Sequence, residues 1–358
     1  MGRPRRLVGR RVILLTVRDL GHRFVRFVVV VVLAAVVFAL LFVMTGLVEQ
    51  FHREPYDTTA AIGGAAWVLA DGVTGPFTAS SSLPSSALDA LDAGVKAPVV
   101  AARSSLEHDG STDEVVVLGH VPDALGAPPV AEGRSAAQPG EIVLDASLGV
   151  DVGDRVAVAG EPFAVVGLSE DTTILAGIPL VFIPLEDAQR LIFRSPDVVS
   201  GFLVDGAIGT LPPGATLITA DDVAADTLGP LDGAIDSIDL VRGLLWVVAA
   251  IIVGSVVYLS ALERQRDFAV LKAVGVSNRT LLCSLALQAV LVAVVSVAVA
   301  AVLQRFVTPA FPLRVRVPAR AFWQVPLLAV AMALLAGIAG MRRVARSDPA
   351  MAFAAGGA

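Results

Sequence analysis

The sequence predicts an α-helical membrane protein with four transmembrane helices plus a mixed α/β extracytoplasmic domain inserted between helices 1 and 2. Three observations predict it. Of 358 residues, 55% are hydrophobic and only 17% charged, where a soluble globular chain carries about 25% charged residues. Four stretches, 27–48, 243–262, 281–303 and 321–341, contain no charged residue, and about 20 such residues cross a bilayer as a helix. Residues 49–240 hold 29 of the 33 acids and seven of the 27 basic residues, a net of −22, while the rest nets +16. Charge segregated in this way points to a chain exposed to two compartments.

The first apolar stretch follows the basic segment 1–26, which carries eight arginines. It is longer than a signal-peptide core of roughly 7–15 residues and exits through Thr45-Gly46-Leu47-Val48-Glu49, so it reads as an uncleaved anchor. In segment 1–26, Leu7, Val8, Val12, Ile13, Leu14 and Leu15 interleave with arginines, the pattern of an interfacial amphipathic helix on the lipid bilayer. Basic residues near span ends face the cytoplasm. Segment 1–26, loop 263–280 (Arg264, Arg266, Lys272, Arg279) and tail 342–358 (Arg342, Arg343, Arg346) are therefore placed inside. Domain 49–242 and loop 304–320 are placed outside, although Arg305, Arg314, Arg316 and Arg320 run against the rule in that loop. The expectation is a multi-pass protein of the plasma or inner membrane with both termini cytoplasmic.

Within the domain, 65–69, 97–102 and 114–118 read as strands, with a short helix over 84–91 capped by Ser82 or Ser85 and stopped before Gly94. Segment 141–168 is clearest: strands at 141–144, 155–158 and 163–166, with turns at 150–154 and 159–162, suggest a small barrel or meander. A strand at 179–184 and a helix at 185–193 follow; 78–86 and 126–140 read as loops. The partly repeated layout suggests two subdomains. The acidity keeps an exported domain soluble or marks a cation or basic-peptide site.

Several chemistries are excluded. Cys283 is the single cysteine, so there is no internal disulfide and no cysteine-based zinc site. No Gly-x-x-x-x-Gly-Lys-Ser/Thr loop occurs, so ATP is not held that way. His22, His52, His108 and His120 lack metal spacing, and no Gly-x-Ser-x-Gly elbow is present. The chain is expected not to be an enzyme, with no catalytic, metal or cofactor residues of its own and no nucleic-acid partner. The apolar stretches contain no acid, lysine, arginine or histidine, so they offer no obvious path for a polar solute. Ser284, Gln288 and Ser296 share one helical face as a hydrogen-bond seam between helices, or else as a transport path. Ala250 with Gly254, Ala333 with Gly337 and Ala336 with Gly340 allow close helix packing, within the chain or across a dimer.

One cytoplasmic segment carries a distinctive pattern. Phe268, Leu271 and Val274 recur every three residues after Glu263-Arg264-Gln265-Arg266-Asp267, with Ala269, Val270 and Ala273 beside them. This predicts an amphipathic helix on the membrane surface or in a partner's groove; a loop needed only for orientation would also be basic. Gly275 suits its C-terminal stop, and Ser277 can cap the next helix.

The segment resembles the coupling loop of FtsX-like and MacB-like ABC-transporter permeases. The matching residues are Glu263, Arg264, Phe268, Ala269, Leu271, Lys272, Ala273, Val274 and Gly275, with Asp267 where the family usually has Glu. Asp348-Pro349 resembles the family's terminal motif, and Glu132-Gly133-Arg134, Glu141-Ile142-Val143-Leu144 and Val152-Gly153-Asp154 resemble its outside domain. The order of one span, a large outside domain and three spans also matches. The resemblance implies a type VII ABC-transporter permease without a fused ATPase. It implies two copies of this chain as a homodimer, with a separate ABC ATPase subunit that binds ATP and Mg. Glu263, Arg264, Asp267, Phe268, Leu271, Lys272 and Gly275 would contact that ATPase. Phe268 would be the buried anchor. Motion would pass to the outside domain by mechanotransmission, for export or extraction of substrate. An alternative is an FtsX-like signalling protein that regulates cell-wall hydrolases through an extracytoplasmic partner. A second is a glutamine importer, the label some similar members carry.

Overall fold

A computed structural model describes residues 24–263, 270, 274, 276, 278–308 and 315–345. Segment 1–23, the motif Asp348-Pro349 and the rest of the tail lie outside these residues. The chain divides into two compact units, one from 1–49 with 237–358, the other from 50–236.

Four long helices belong wholly or partly to the first unit: α1 Phe24–Ile62, α5 Asp232–Glu263, α6 Asn278–Val307 and α7 Ala321–Ala345. Among the described residues, three helical stretches are long and apolar enough to cross a membrane, and a shorter apolar one spans Ala321–Leu335. The sequence places the end of the first span at residue 48; helix α1 continues to Ile62, through Pro55. Its 39 residues extend about 58 Å at 1.5 Å per residue. The core of this unit combines Phe38, Leu41 and Phe42 with small residues at helical spacing, Ala35 and Ala39, Ala289 and Ala293, Ala329 and Ala333, and with Ala249 and Val253. In α5 the buried small residue is thus Ala249; Ala250 and Gly254 are only half-buried. The side chains of Ala336, Gly337 and Gly340 lie outside the described residues.

The second unit is built on one eleven-stranded mixed sheet rather than two subdomains. Its strands are β1 Ala66–Ala70, β3 Ala93–His108, β4 Ser111–His120, β5 Val130–Gly133, β6 Glu141–Asp145, β7 Arg155–Val158, β8 Glu161–Ser169, β9 Thr173–Ile174, β10 Ile178–Pro184, β12 Gly201–Ile208 and β13 Ala215–Thr219. The order is β13-β1-β12-β3-β4-β10-β6-β8-β5, with β7 beside β3 and β8, and β9 beside β10. A separate ribbon joins β2 Leu83–Pro84 to β11 Val198–Val199. Two hairpin turns are two-residue, Asp109-Gly110 and Ala159-Gly160, left-handed at both positions, the geometry that matches strand twist.

Of the barrel or meander expected over 141–168, the barrel is found: β3, β4, β10, β6, β8 and β7 pair in a closed ring, β7 returning to β3. The meander fails because β6 runs parallel to β8, which requires a crossover. Both faces of the sheet are covered. Val115, Val117, Val181 and Ile183 face one core, while Val116, Leu118, Leu180 and Phe182 face the other. Strands buried on both sides read as unbroken apolar runs, which explains Val115–Leu118 and Leu180–Ile183.

The helix predicted over 84–91 shrinks to α2, Ala87–Ala90; its N-cap is Ser86, which makes no side-chain cap, and Gly94 lies inside β3. The loop 126–140 contains β5. The helix over 185–193 is α3, Leu185–Ala188, running into a π-helical turn, Gln189–Phe193. Strands β12 and β13 were not anticipated, nor was α4, Ala220–Leu228, which Thr219 caps by accepting from the Asp222 N–H.

Candidate functional site

Helix α5 ends at Glu263, which is exposed. Arg264, Asp267, Phe268, Leu271, Lys272 and Gly275 lie outside the described residues. Within the same segment the Val274 N–H donates to the Val270 carbonyl at 3.1 Å, the bond that closes one helical turn. Val270 is 63% and Val274 79% exposed. Two apolar side chains four residues apart share one helical face, and here that face stands uncovered.

In the first unit, the side-chain amide of Gln288 donates to the Ser260 hydroxyl at 3.1 Å, linking α6 to α5. Ser296 is fully buried and Ser284 half-buried. The Gln288 carbonyl oxygen and the Ser296 hydroxyl have no partner among the described residues. The seam is therefore one interhelical bond with two unmatched polar atoms beside it.

The start of α7 and the residues before it pack along one face of α1. Phe42 stacks on Phe322 with centroids 5.2 Å apart. A Cβ on Gly46 would lie 2.8 Å from a Val315 methyl, so the close approach needs glycine. One turn further, Arg320 donates to the Glu49 carboxylate.

In the second unit, the motif residues Arg134 and Glu141 meet. Arg134 donates through Nη1 to Oε2 of Glu141 at 2.7 Å and through Nη2 to Oε1, a bidentate fork. Glu141 also accepts from the N–H groups of Ala137 and Gln138, at 3.1 Å each. The Arg134 guanidinium, with those two N–H groups, holds the Glu141 carboxyl down to about 2. The pair pins the Gly- and Pro-containing loop onto β6. Gly133 precedes it with φ 79°, and a Cβ there would sit 2.4 Å from the Val166 carbonyl oxygen. Only glycine fits.

The extension of α1 is gripped inside the same unit. Phe51, Glu54, Thr58 and Ile62 form a buried helical stripe. The Gly177 N–H donates to Glu54 at 2.8 Å, and the Thr58 hydroxyl donates to the Thr173 carbonyl at 2.5 Å. The receiving loop holds Asp171, Leu175 and Ala176 in the left-handed region, uncommon for residues with a side chain. Burial raises the Glu54 carboxyl above its usual range, opposed by the Gly177 N–H. The sequence signal was present as the 3- and 4-residue spacing of Phe51, Glu54, Thr58 and Ile62. Charged neighbours and Pro55 masked it.

His120 is buried against Phe182, with Nδ1 3.2 Å from the Val121 carbonyl oxygen. Burial lowers its pKa. Among the described residues no group of three His, Cys, Asp or Glu side chains could hold a metal ion.

The family described as FtsX-like permease C-terminal matches residues 240–349, and the MacB-like periplasmic core domain matches 28–226. An uncharacterised ABC-transporter permease of Mycobacterium bovis is 40% identical over 94% of this chain and 97% of its own length. A second, from Mycobacterium tuberculosis, is 37% identical over the same shares. The crystal structure of the periplasmic region of MacB from Actinobacillus actinomycetemcomitans is 12% identical, covering 46% of this chain and 93% of that one with a TM-score of 0.34. The names of the two mycobacterial relatives specify no substrate, and glutamine import gains no support from them.

Proposed function

The chain belongs to the ABC-transporter permeases with FtsX-like and MacB-like domains, and we propose that it couples ATP hydrolysis on a separate ATPase subunit to motion of its outside domain. The observation that carries this reading is helix α1. It contributes residues to both units without a break, and its far end is held by the Glu54–Gly177 and Thr58–Thr173 bonds. A helix held in that way transmits displacement rather than absorbing it. Helix α5 likewise contributes to both units and leads into the segment that carries Val270 and Val274.

In this reading the chain crosses the cell membrane four times, at 27–48, 243–262, 281–303 and 321–341. Both termini and the coupling loop 263–280 are cytoplasmic, and domain 49–242 and loop 304–320 lie outside. Two copies pair with two ATPase subunits, which bind ATP and Mg. Phe268 inserts into the ATPase, with Leu271 and Val274 on the same apolar face. Glu263, Arg264, Asp267 and Lys272 form its charged surround. Gly275 ends the helix. Substrate is extracted or exported from the outer side, because the apolar stretches lack ionisable groups to line a polar path. Co-purification tests the pairing. An ABC ATPase subunit from the same cells should be retained by the wild type; a protein that retains none contradicts the reading.

A further inference from the structure

Seven basic residues stand among the 29 acids of 49–240, so partners for them abound. Lys96 donates to the carbonyls of Leu88 and Leu91, Arg103 pairs with Glu114, Arg134 with Glu141, and Arg190 with Asp187 and Glu161. Arg53 is also engaged. Arg155 and Arg194 make no side-chain hydrogen bond or ion pair among the described residues, and Arg194 lines a cavity of about 600 Å³. Small-molecule sites run from about 300 to 1,000 Å³.

The backbone that presents Arg194 is unusual. It follows the π-helical turn and closes it in the left-handed conformation, φ 54°. π-turns and left-handed non-glycine residues both concentrate at functional sites. The wall is fixed. The amide of buried Gln189 donates to the carbonyls of Pro196 and Val198 at 2.6 and 3.0 Å, and the Ser85 N–H donates to the Asp197 carbonyl at 2.8 Å. Arg190 is already bound by Asp187 at 2.8 Å.

Glu186 lines the same cavity, is exposed, and likewise has no side-chain partner among the described residues. The cavity thus offers one free cation and one free anion. Half-buried Leu88, Pro98 and Leu185 line the same cavity. A simple anion would be repelled by a domain of net charge −22. A zwitterion would not, and a single guanidinium matches a single carboxylate.

We propose that this cavity binds a short apolar peptide by its two ends. Arg194 takes the terminal carboxylate, Glu186 takes the terminal ammonium, and Leu88, Pro98 and Leu185 cover the side chains. The site stands independently of the coupling reading, since it needs no ATPase to bind.

The test is calorimetry on the full chain in lipid nanodiscs, with the tripeptide alanyl-leucyl-alanine as probe. Its C-terminal amide and its N-acetyl form serve as comparisons. The free tripeptide should bind saturably, and each blocked form should bind about tenfold more weakly, the loss of one charge-assisted contact. Arg194→Gln should erase the difference between acid and amide while keeping that between amine and acetyl. Glu186→Gln should do the reverse. Absence of saturable binding, equal binding of free and blocked peptides, or variants that leave both differences intact would each overturn the proposal. Both side chains are exposed, so each variant should keep the wild-type melting temperature.

Discussion

Arg320 donates to the carboxylate of Glu49, tying the residue before α7 to the acid that follows the first apolar stretch of α1. Glu49 is 8% exposed. Arg320 is one of the four arginines of segment 304–320. Its charge is met by a nearly buried carboxylate. Phe42–Phe322 and Gly46–Val315 sit on the same face of α1, so the pair closes a packed seam.

Arg320→Ala should therefore destabilise the protein by about 2 kcal/mol, between the values for exposed and buried pairs. The exchanged pair Glu49→Arg with Arg320→Glu should recover part of the loss. Thermal unfolding in nanodiscs reads both; an Arg320→Ala variant that melts with the wild type would show the pair to be incidental.

Two carboxylates of the second unit should titrate with opposite sign. Glu141 is held at about 2 in the folded state, below its unfolded value. Its contribution is present above the unfolded pKa of about 4.5 and is lost as pH falls toward 2. Glu54 is raised by burial, so its contribution is present below about 4.5 and is lost as pH rises through the folded value. Melting temperature against pH should therefore lose its acid-side slope in Glu141→Gln and its opposite slope in Glu54→Gln. Identical profiles for wild type and both variants would contradict the assignment. Glu141→Gln should also lower the melting temperature by roughly 4–8 °C at neutral pH, the effect of losing a charged hydrogen-bond set.

Gly133→Ala places a Cβ against the Val166 carbonyl in a backbone at φ 79°. The expected cost is about 1–3 kcal/mol, read as a lower melting temperature. Gly140→Ala is also at positive φ but meets nothing within 4 Å, and it should cost less. Equal losses would show that conformation, not the contact, sets the requirement.

The interhelical bond of Gln288 to Ser260 should be weak. Ser260→Ala is expected to cost about 0.6 kcal/mol, seen as a small fall in melting temperature. A loss several times larger would mean that the unmatched polar atoms nearby form a coupled network.

The apolar helices and the strands 141–144, 155–158 and 179–184 were legible because length, absence of charge and turn residues are local signals. The extension of α1 was not, since Glu49 ends the charge-free stretch, and only the contact with Gly177, more than a hundred residues away, explains a buried acid at Glu54. Sheet order was hidden for the same reason. Parallel pairing of β6 with β8 depends on crossovers that no local pattern records. The Arg134–Glu141 motif was visible as residues, but its clamp on Ala137 and Gln138 needed the fold. Arg194 carried no signal beyond being one basic residue in an acidic domain.

The central claim is that segment 263–275 drives, and is driven by, a separate ATPase. The direct measurement is ATP hydrolysis by that ATPase with the full chain in nanodiscs, comparing wild type with Phe268→Asp. The account predicts that the wild type changes the hydrolysis rate and that the variant, inserted and folded normally, abolishes that change. Unaltered coupling in Phe268→Asp would contradict it.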